Sequence, residues 1–269
     1  MRRAAPHAPI GGGFTELPEV RVISVQSVSA GAGRSSIASN LAFELAATGS
    51  RVLLIDLDEN WPSIHRQFGL PSQQAAVLAA MRLFDLGKLD ANAFAELSVR
   101  LIARGVSIDF LSGYGLNLNR EAINYGSLAG LIKHLQGQFG AIVIDAPSGI
   151  NSKMLSCIGS VATSVVQVTQ ADAVSLGRFL DSQPALVSAP ASALPNHLVV
   201  NRMRSSVLGA RPEWQVQQVL RDRTNYKNAT VVPEDTAFDQ ALQRGLPLRQ
   251  LGGKSKAVSA LGELAGRVR

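Results

Sequence analysis

Three aspartates and one glycine-bearing loop carry the groups in this chain that could do chemistry. Asp56 and Asp58 end the apolar run "RVLLIDLD", and Asp145 ends a second run, "AIVID". Between the first apolar run of the chain and the helix-like stretch after it stands "VSAGAGRSS", Val28 to Ser36. Gly31 and Gly33 allow a backbone to approach an anion without Cβ interference. A helix opening after Gly33 points unpaired N–H groups and the positive end of its dipole at that anion. Ser35 stands where a hydroxyl ligates Mg2+ beside bound phosphates, and Ser36 follows it. The usual pattern for such a phosphate-cradling loop is G-x-x-x-x-G-K-[ST]. Here Val28 replaces the first glycine and Arg34 replaces the lysine. Taken alone, the loop reads equally well as an ordinary tight turn between a strand and a helix.

The elements that must position these groups alternate in type. "VRVISVQS", "RVLLIDLD", "VSIDFLSG", "AIVIDAP", "TSVVQVTQ", "HLVVNRM" and "ATVVPED" are apolar and β-branched, and each predicts a strand. "SSIASNLAFELAATG" has apolar residues at helical spacing and Gly49 as a stop signal. Trp61 to Arg104 is expected to be mostly helical. Strands alternating with helices imply parallel pairing through right-handed crossovers and a sheet covered on both faces. The expected fold is a single α/β domain with a mostly parallel, doubly wound sheet, in which ligands bind at the carboxyl ends of the strands. Residues 1–19 read as a flexible leader and residues 20–269 as the domain.

Composition narrows the classes. The chain has 269 residues, 46% of them hydrophobic, and its apolar runs fall well short of the roughly 20 residues of a membrane span. The leader has arginines but no apolar segment of the secretory kind. The single cysteine, Cys157, cannot form an intramolecular disulfide and suits a reducing cytoplasm. It reads as a small buried apolar side chain. Four histidines and one cysteine show no zinc-binding spacing, and no G-x-S-x-G element is present. His65 has no partner cluster, and Lys153 reads as an exposed lysine on the first turn of a helix. The tail "SALGELAGRVR" lacks the faces of an interfacial membrane anchor and reads as a core-packing helix.

The stretch Val28–Asp58 resembles the MinD/ParA family of deviant-Walker P-loop ATPases. That family reads K-G-G-x-G-K-[ST]-T, then an N-L-A helix, then a strand ending in D-x-D. Ser29 falls at the signature lysine and Ala30 at a glycine. Gly31 and Gly33 match, Ala32 holds the variable position, and Arg34 sits at the loop lysine. Ser35 and Ser36 match the hydroxyl pair, Asn40-Leu41-Ala42 the helix, and Asp56 and Asp58 the D-x-D. Downstream, "FGAIVIDAPSGI" resembles the Walker B and switch II segment, and "VVPED" with "ALQRGLPL" resembles the base loop and final helices. The resemblance implies bound ATP and Mg2+. It makes Asp145 a ligand to Mg2+ through water, Asp58 the residue that positions the attacking water, and Asn201 the reader of adenine. It also implies a homodimer facing across the nucleotides and an output of partner recruitment.

The loss of both lysines resembles the CpaE/TadZ branch, atypical members that act in Tad-type pilus assembly and polar placement, as does the segment Leu86–Gly113. Three functions follow as expectations. The leading one is a cytoplasmic positioning or assembly factor with weak or absent hydrolysis, recruited by pilus or secretion partners to a pole or to the inner membrane surface. The others are a non-enzymatic scaffold and a DNA-partitioning ATPase.

The net charge of +6 is carried by the C-terminal quarter. Asn201–Arg269 hold twelve of the 26 Lys and Arg but only six of the 20 Asp and Glu. Such an excess predicts weak, sequence-independent binding to duplex DNA that falls steeply with added salt. Fluorescence anisotropy with a short duplex at low salt checks it, and no binding there leaves the basic residues as solvated surface.

Overall fold

The computed structural model describes residues 20–58, 61–71, 75–113, 123–150, 153–204, 212–224, 226, 228–251 and 255–268. The expected leader, residues 1–19, lies outside the described residues. Eight strands form one sheet: β1 (Arg21–Ser27), β2 (Val52–Asp56), β3 (Val99–Ala103), β4 (Val106–Leu111), β5 (Ala141–Ser148), β6 (Ser164–Gln170), β7 (Asn196–Met203) and β8 (Ala229–Pro233). Their order across the sheet is β3-β4-β2-β5-β1-β6-β7-β8. Every pairing is parallel except β3 with β4. The chain leaves β1 toward β2 on one side and β6 toward β7 on the other. This divergence opens a crevice at the carboxyl ends of β1 and β6, where ligands bind in open α/β sheets.

The helices are α1 (Arg34–Ala47), α2 (Ile64–Gln67), α3 (Ala76–Asp85), α4 (Ala91–Leu97), α5 (Tyr125–Gln136), α6 (Lys153–Gly159), α7 (Ala173–Asp181), α8 (Gln183–Ser188), α9 (Pro212–Arg223), α10 (Ala237–Arg244), α11 (Leu248–Leu251) and α12 (Lys256–Arg267). One face of the sheet carries α1, α11 and α12 over a core that includes Ile23, Val25, Leu54, Val143, Val166 and Val199. The other carries α3, α5 and α6 over Val22, Leu53, Ile55, Ile142 and Ile144. Beyond β1 that second face is covered through Phe179, Val216 and Leu220 of α7 and α9. Alternate residues of β1 and β2 thus feed opposite cores, as strands buried on both faces must.

The seven expected strands are present, and β3 is an addition. The segment expected to be mostly helical ends in a hairpin. Arg104 and Gly105 both adopt positive φ, 44° and 79°, between Ala103 and its partner Val106. A two-residue loop with both φ positive matches the twist of an antiparallel pair. Leu101 and Ala103 turn inward while Arg100 and Ile102 face solvent, the alternation of a half-covered edge strand.

Helix α1 is buried almost all round, so its polar residues must be satisfied by the protein. Asn40 does this twice. Its amide donates to the Ser36 carbonyl at 2.8 Å, and its oxygen accepts the Leu248 N–H at 2.8 Å. Arg249 donates to Glu44 at 2.9 Å. These contacts tie α11 to the helix that begins at the phosphate-type loop. The tail helix α12 packs Ala257, Leu261 and Leu264 into the same core. Cys157 is buried and donates to the Tyr125 carbonyl. Among the basic residues of the C-terminal quarter, Arg204, Arg249 and Arg267 pair with Glu234, Glu44 and Glu263. No described helix is long and apolar enough to cross a membrane.

Asn40→Ala leaves the buried Leu248 N–H without an acceptor. We expect a loss of about 1–3 kcal/mol in unfolding free energy. Urea denaturation followed by circular dichroism should show a lower midpoint with an unchanged slope.

Candidate functional site

The loop between β1 and α1 is shaped by its two glycines. Gly31 and Gly33 have φ of 79° and 88°, the left-handed region that favours glycine. Gly33 is also required by space, because a Cβ there would overlap the Nδ2 of Asn201. Two amides from neighbouring strands hold the loop by its carbonyls. Gln170, at the end of β6, donates to the Gly31 oxygen at 2.5 Å, and Asn201, on β7, donates to the Ala32 oxygen at 2.9 Å. Ala30 and Gly31 face solvent, and Ser29 is half-buried. The loop is therefore held by its carbonyls, with Ala30 and Gly31 at the surface.

Ser35 and Ser36 enter the first turn of α1, where backbone N–H groups lack partners within the helix. The expected carboxylates gather beneath. Parallel pairing of β2 with β5 sets Asp56 beside Asp145, and Asp58 follows two residues after β2. Asp56 accepts three backbone hydrogen bonds, from Asp58 at 3.1 Å, Ser63 at 3.0 Å and Ile64 at 3.2 Å. Its role is to fix the chain after β2. Asp58 in turn accepts the Trp61 N–H at 3.1 Å.

Arg34 is the centre of this group. Its Nε donates to Asp145 Oδ1 at 2.7 Å and its Nη2 to Asp58 Oδ2 at 2.6 Å. The arginine is 7% exposed and Asp145 is fully buried. Burial alone would lower the Arg34 pKa, but the charges and hydrogen bonds of Asp145 and Asp58 outweigh it and raise it. Complete burial raises the Asp145 carboxyl, against the opposing pull of Arg34 and Ser35. Asp145 Oδ2 is buried and has no well-formed hydrogen bond, although the Ser35 hydroxyl favours the ionised carboxyl.

The loop residues, Ser35, Ser36, Asp58, Asp145 and Asn201 converge at one end of the sheet. Arg34 turns down onto the carboxylates. Asn201 spends its amide on the loop. Lys153 is exposed at the first turn of α6, and His65 is half-buried without a metal-binding cluster. Gln170 was not singled out by the sequence; its only signal is a polar residue at the end of a strand beside the loop. Among the described residues no group of three His, Cys, Asp or Glu is arranged to hold a metal by itself. Ser35 with Asp145 would suit Mg2+, which takes one or two protein ligands and completes its shell from phosphates and water.

Residues 20–268 match the protein family described as cellulose biosynthesis protein BcsQ. The chain is similar to the septum site-determining protein MinD of Synechocystis, 25% identical over 228 residues, which span 85% of this chain and 81% of that protein. It superimposes on MinD of Pyrococcus horikoshii complexed with Mg-ADP, with a TM-score of 0.67 and 20% identity, covering 93% of this chain and 96% of that one. It also superimposes on the MinC:MinD cell division protein complex of Aquifex aeolicus, with a TM-score of 0.74 and 20% identity, covering 93% and 95%.

Asp56 makes the site sensitive to pH. Burial first, then the charge of Asp145, raise its pKa to about 8 in the folded protein, against about 3.9 in an unfolded chain. A carboxyl so raised contributes stability that is present below its unfolded pKa and lost as pH climbs through its folded pKa. The urea midpoint should fall from pH 5 to pH 8. Asp145→Asn, which removes the neighbouring charge, should make that fall smaller.

Proposed function

Since the chain belongs to the cellulose biosynthesis protein BcsQ family, within the MinD/ParA-type P-loop ATPases, we propose that it is an ATP- and Mg2+-binding assembly or positioning factor of a cellulose-producing machinery. The observation that carries this is the meeting of the Gly31–Gly33 loop, Ser35 and Asp145 at the carboxyl ends of adjacent strands. Loop N–H groups and the α1 N-terminus supply the attraction for phosphates. Ser35 would ligate Mg2+ directly and Asp145 would do so through water. When bound, Mg2+ neutralises charge on the phosphates. Asp58 lies at the rim of the same group, where a water could be oriented. Asn201 would read the base from its place beside the loop, where its amide holds the Ala32 carbonyl.

The family match turns the assembly role toward cellulose production rather than toward Tad-type pili, the other partner machinery suggested by the CpaE/TadZ resemblance. Recruitment of a cytoplasmic protein by such partners would bring it to the inner membrane surface or to a pole. A homodimer through the strand-end face is supported by apolar side chains left exposed there, Trp61, Ile150 and Val174. Turnover is expected to be slow. A lysine is a compact point charge, whereas arginine is a wide planar fork, and the exchange is not conservative at a crowded site. Ser29 cannot supply the charge of the signature lysine. Losing one charge-stabilising contact lowers rates by about 10²–10³, and two are altered here.

A non-enzymatic scaffold is the second function, favoured by the engagement of Arg34 with the protein's own carboxylates. DNA partitioning rests on the basic C-terminal quarter alone.

Calorimetric titration with ATP, with and without Mg2+, beside sedimentation and phosphate-release assays, tests the proposal. We expect ATP binding, a larger dimer fraction with ATP, and hydrolysis near background that Arg34→Lys restores little. Brisk hydrolysis abolished by Arg34→Ala would overturn the slow-turnover reading. Failure to bind ATP or ADP would favour the scaffold.

A further inference from the structure

We infer that Arg34 is a latch on the metal position: its guanidinium holds Asp58 and Asp145 together and keeps a divalent cation out until nucleotide phosphates draw it away. The inference deepens the function just proposed and rests on it for the identity of the nucleotide. One planar group spans the two carboxylates, 2.7 Å from Asp145 Oδ1 and 2.6 Å from Asp58 Oδ2. A dication approaching Asp145 would stand within a few ångströms of that guanidinium. Repulsion between like charges at such range is strong where water is excluded.

Asp145 Oδ2 marks the place the ion would reach. It is buried without a well-formed hydrogen bond, although buried polar atoms in folded proteins are nearly always partnered. Asp145 thus has one oxygen held by the latch and one that no protein donor meets in good geometry, and the Ser35 side chain interacts with the same carboxyl. The metal-facing group is complete except for the charge Arg34 already supplies.

The position of Arg34 shows what releases it. It is the first residue of α1, directly after Gly33, where the helix dipole and the loop N–H groups favour anions. A polyphosphate there brings more negative charge than the two carboxylates, in a geometry that a guanidinium matches with two parallel hydrogen bonds. Binding is therefore ordered, nucleotide first and metal second. Release also reaches the surface. Asp58 accepts the N–H of Trp61, which is 69% exposed, so loss of the arginine from Asp58 alters the chain beside an exposed tryptophan.

The test is Mn2+ binding to the full chain, read from the electron paramagnetic resonance signal of the free ion. Without nucleotide, Arg34→Ala should bind Mn2+ at least about tenfold more tightly than the parent. The gain should vanish in Arg34→Ala combined with Asp145→Asn. With ATP, the parent should take up Mn2+ beyond what the same concentration of ATP binds without protein. Should Arg34→Ala not fold, Arg34→Gln removes the charge while keeping a hydrogen-bonding amide and answers the same question. Equal Mn2+ affinity in the parent and the charge-removed variant would overturn the latch. Absence of ATP binding to the parent would overturn the nucleotide function instead, and the nucleotide-free comparison would still decide whether Arg34 excludes the ion.

Discussion

A single guanidinium bridging two carboxylates organises the end of the sheet on which the functional site is built. Parallel strands bring their carboxyl ends to one edge, and β2 and β5 set Asp56 beside Asp145 there, with Asp58 close behind. Three acids in so little water repel one another, and burial disfavours their charged forms. Arg34 supplies a positive charge to two of them through short hydrogen bonds. The arginine needs them as much, because an unpaired buried cation is strongly unfavourable. Asp56 lies outside the bridge, and burial, then the charge of Asp145, raises its pKa.

The loop above this group depends on the sheet as a whole. Its conformation comes from Gly31 and Gly33, but its placement comes from Gln170 and Asn201 on two further strands. Three strands, β5, β6 and β7, and the segment after β2 each contribute a polar group. The cores on both faces hold these strands in register, so packing far from the loop governs distances within it. Asn40 extends the same dependence to α11 through the Leu248 N–H.

Replacing the loop lysine by arginine changes how charge is stored. A lysine's ammonium offers a point charge, whereas the planar guanidinium can serve two acceptors at once. Here it serves two of the protein's own. The attraction that would hold a phosphate is thereby spent internally in the absence of ligand, and any nucleotide must compete with Asp58 and Asp145. This competition is the physical basis of the slow turnover proposed above.

Periodicity and punctuation in the sequence determined the seven parallel-type strands and the start of α1 after Gly33, because these depend on local spacing, whereas the loop and its acids were picked out by resemblance to the MinD/ParA family. The hairpin strand β3 was within reach of the same reasoning, since Arg104-Gly105 separates two alternating runs, yet its neighbours are helical and masked it. Tertiary structure alone decided what Arg34 does. Its partners lie 24 and 111 residues away, and only the crossover that inserts β5 between β2 and β1 brings them together. Asn201 and Gln170 belong to the same class: their amides meet loop carbonyls 169 and 139 residues distant. Spacing along a chain reports which groups share an element. Which groups share a charge depends on strand order and burial, which are settled only when the sheet closes around them.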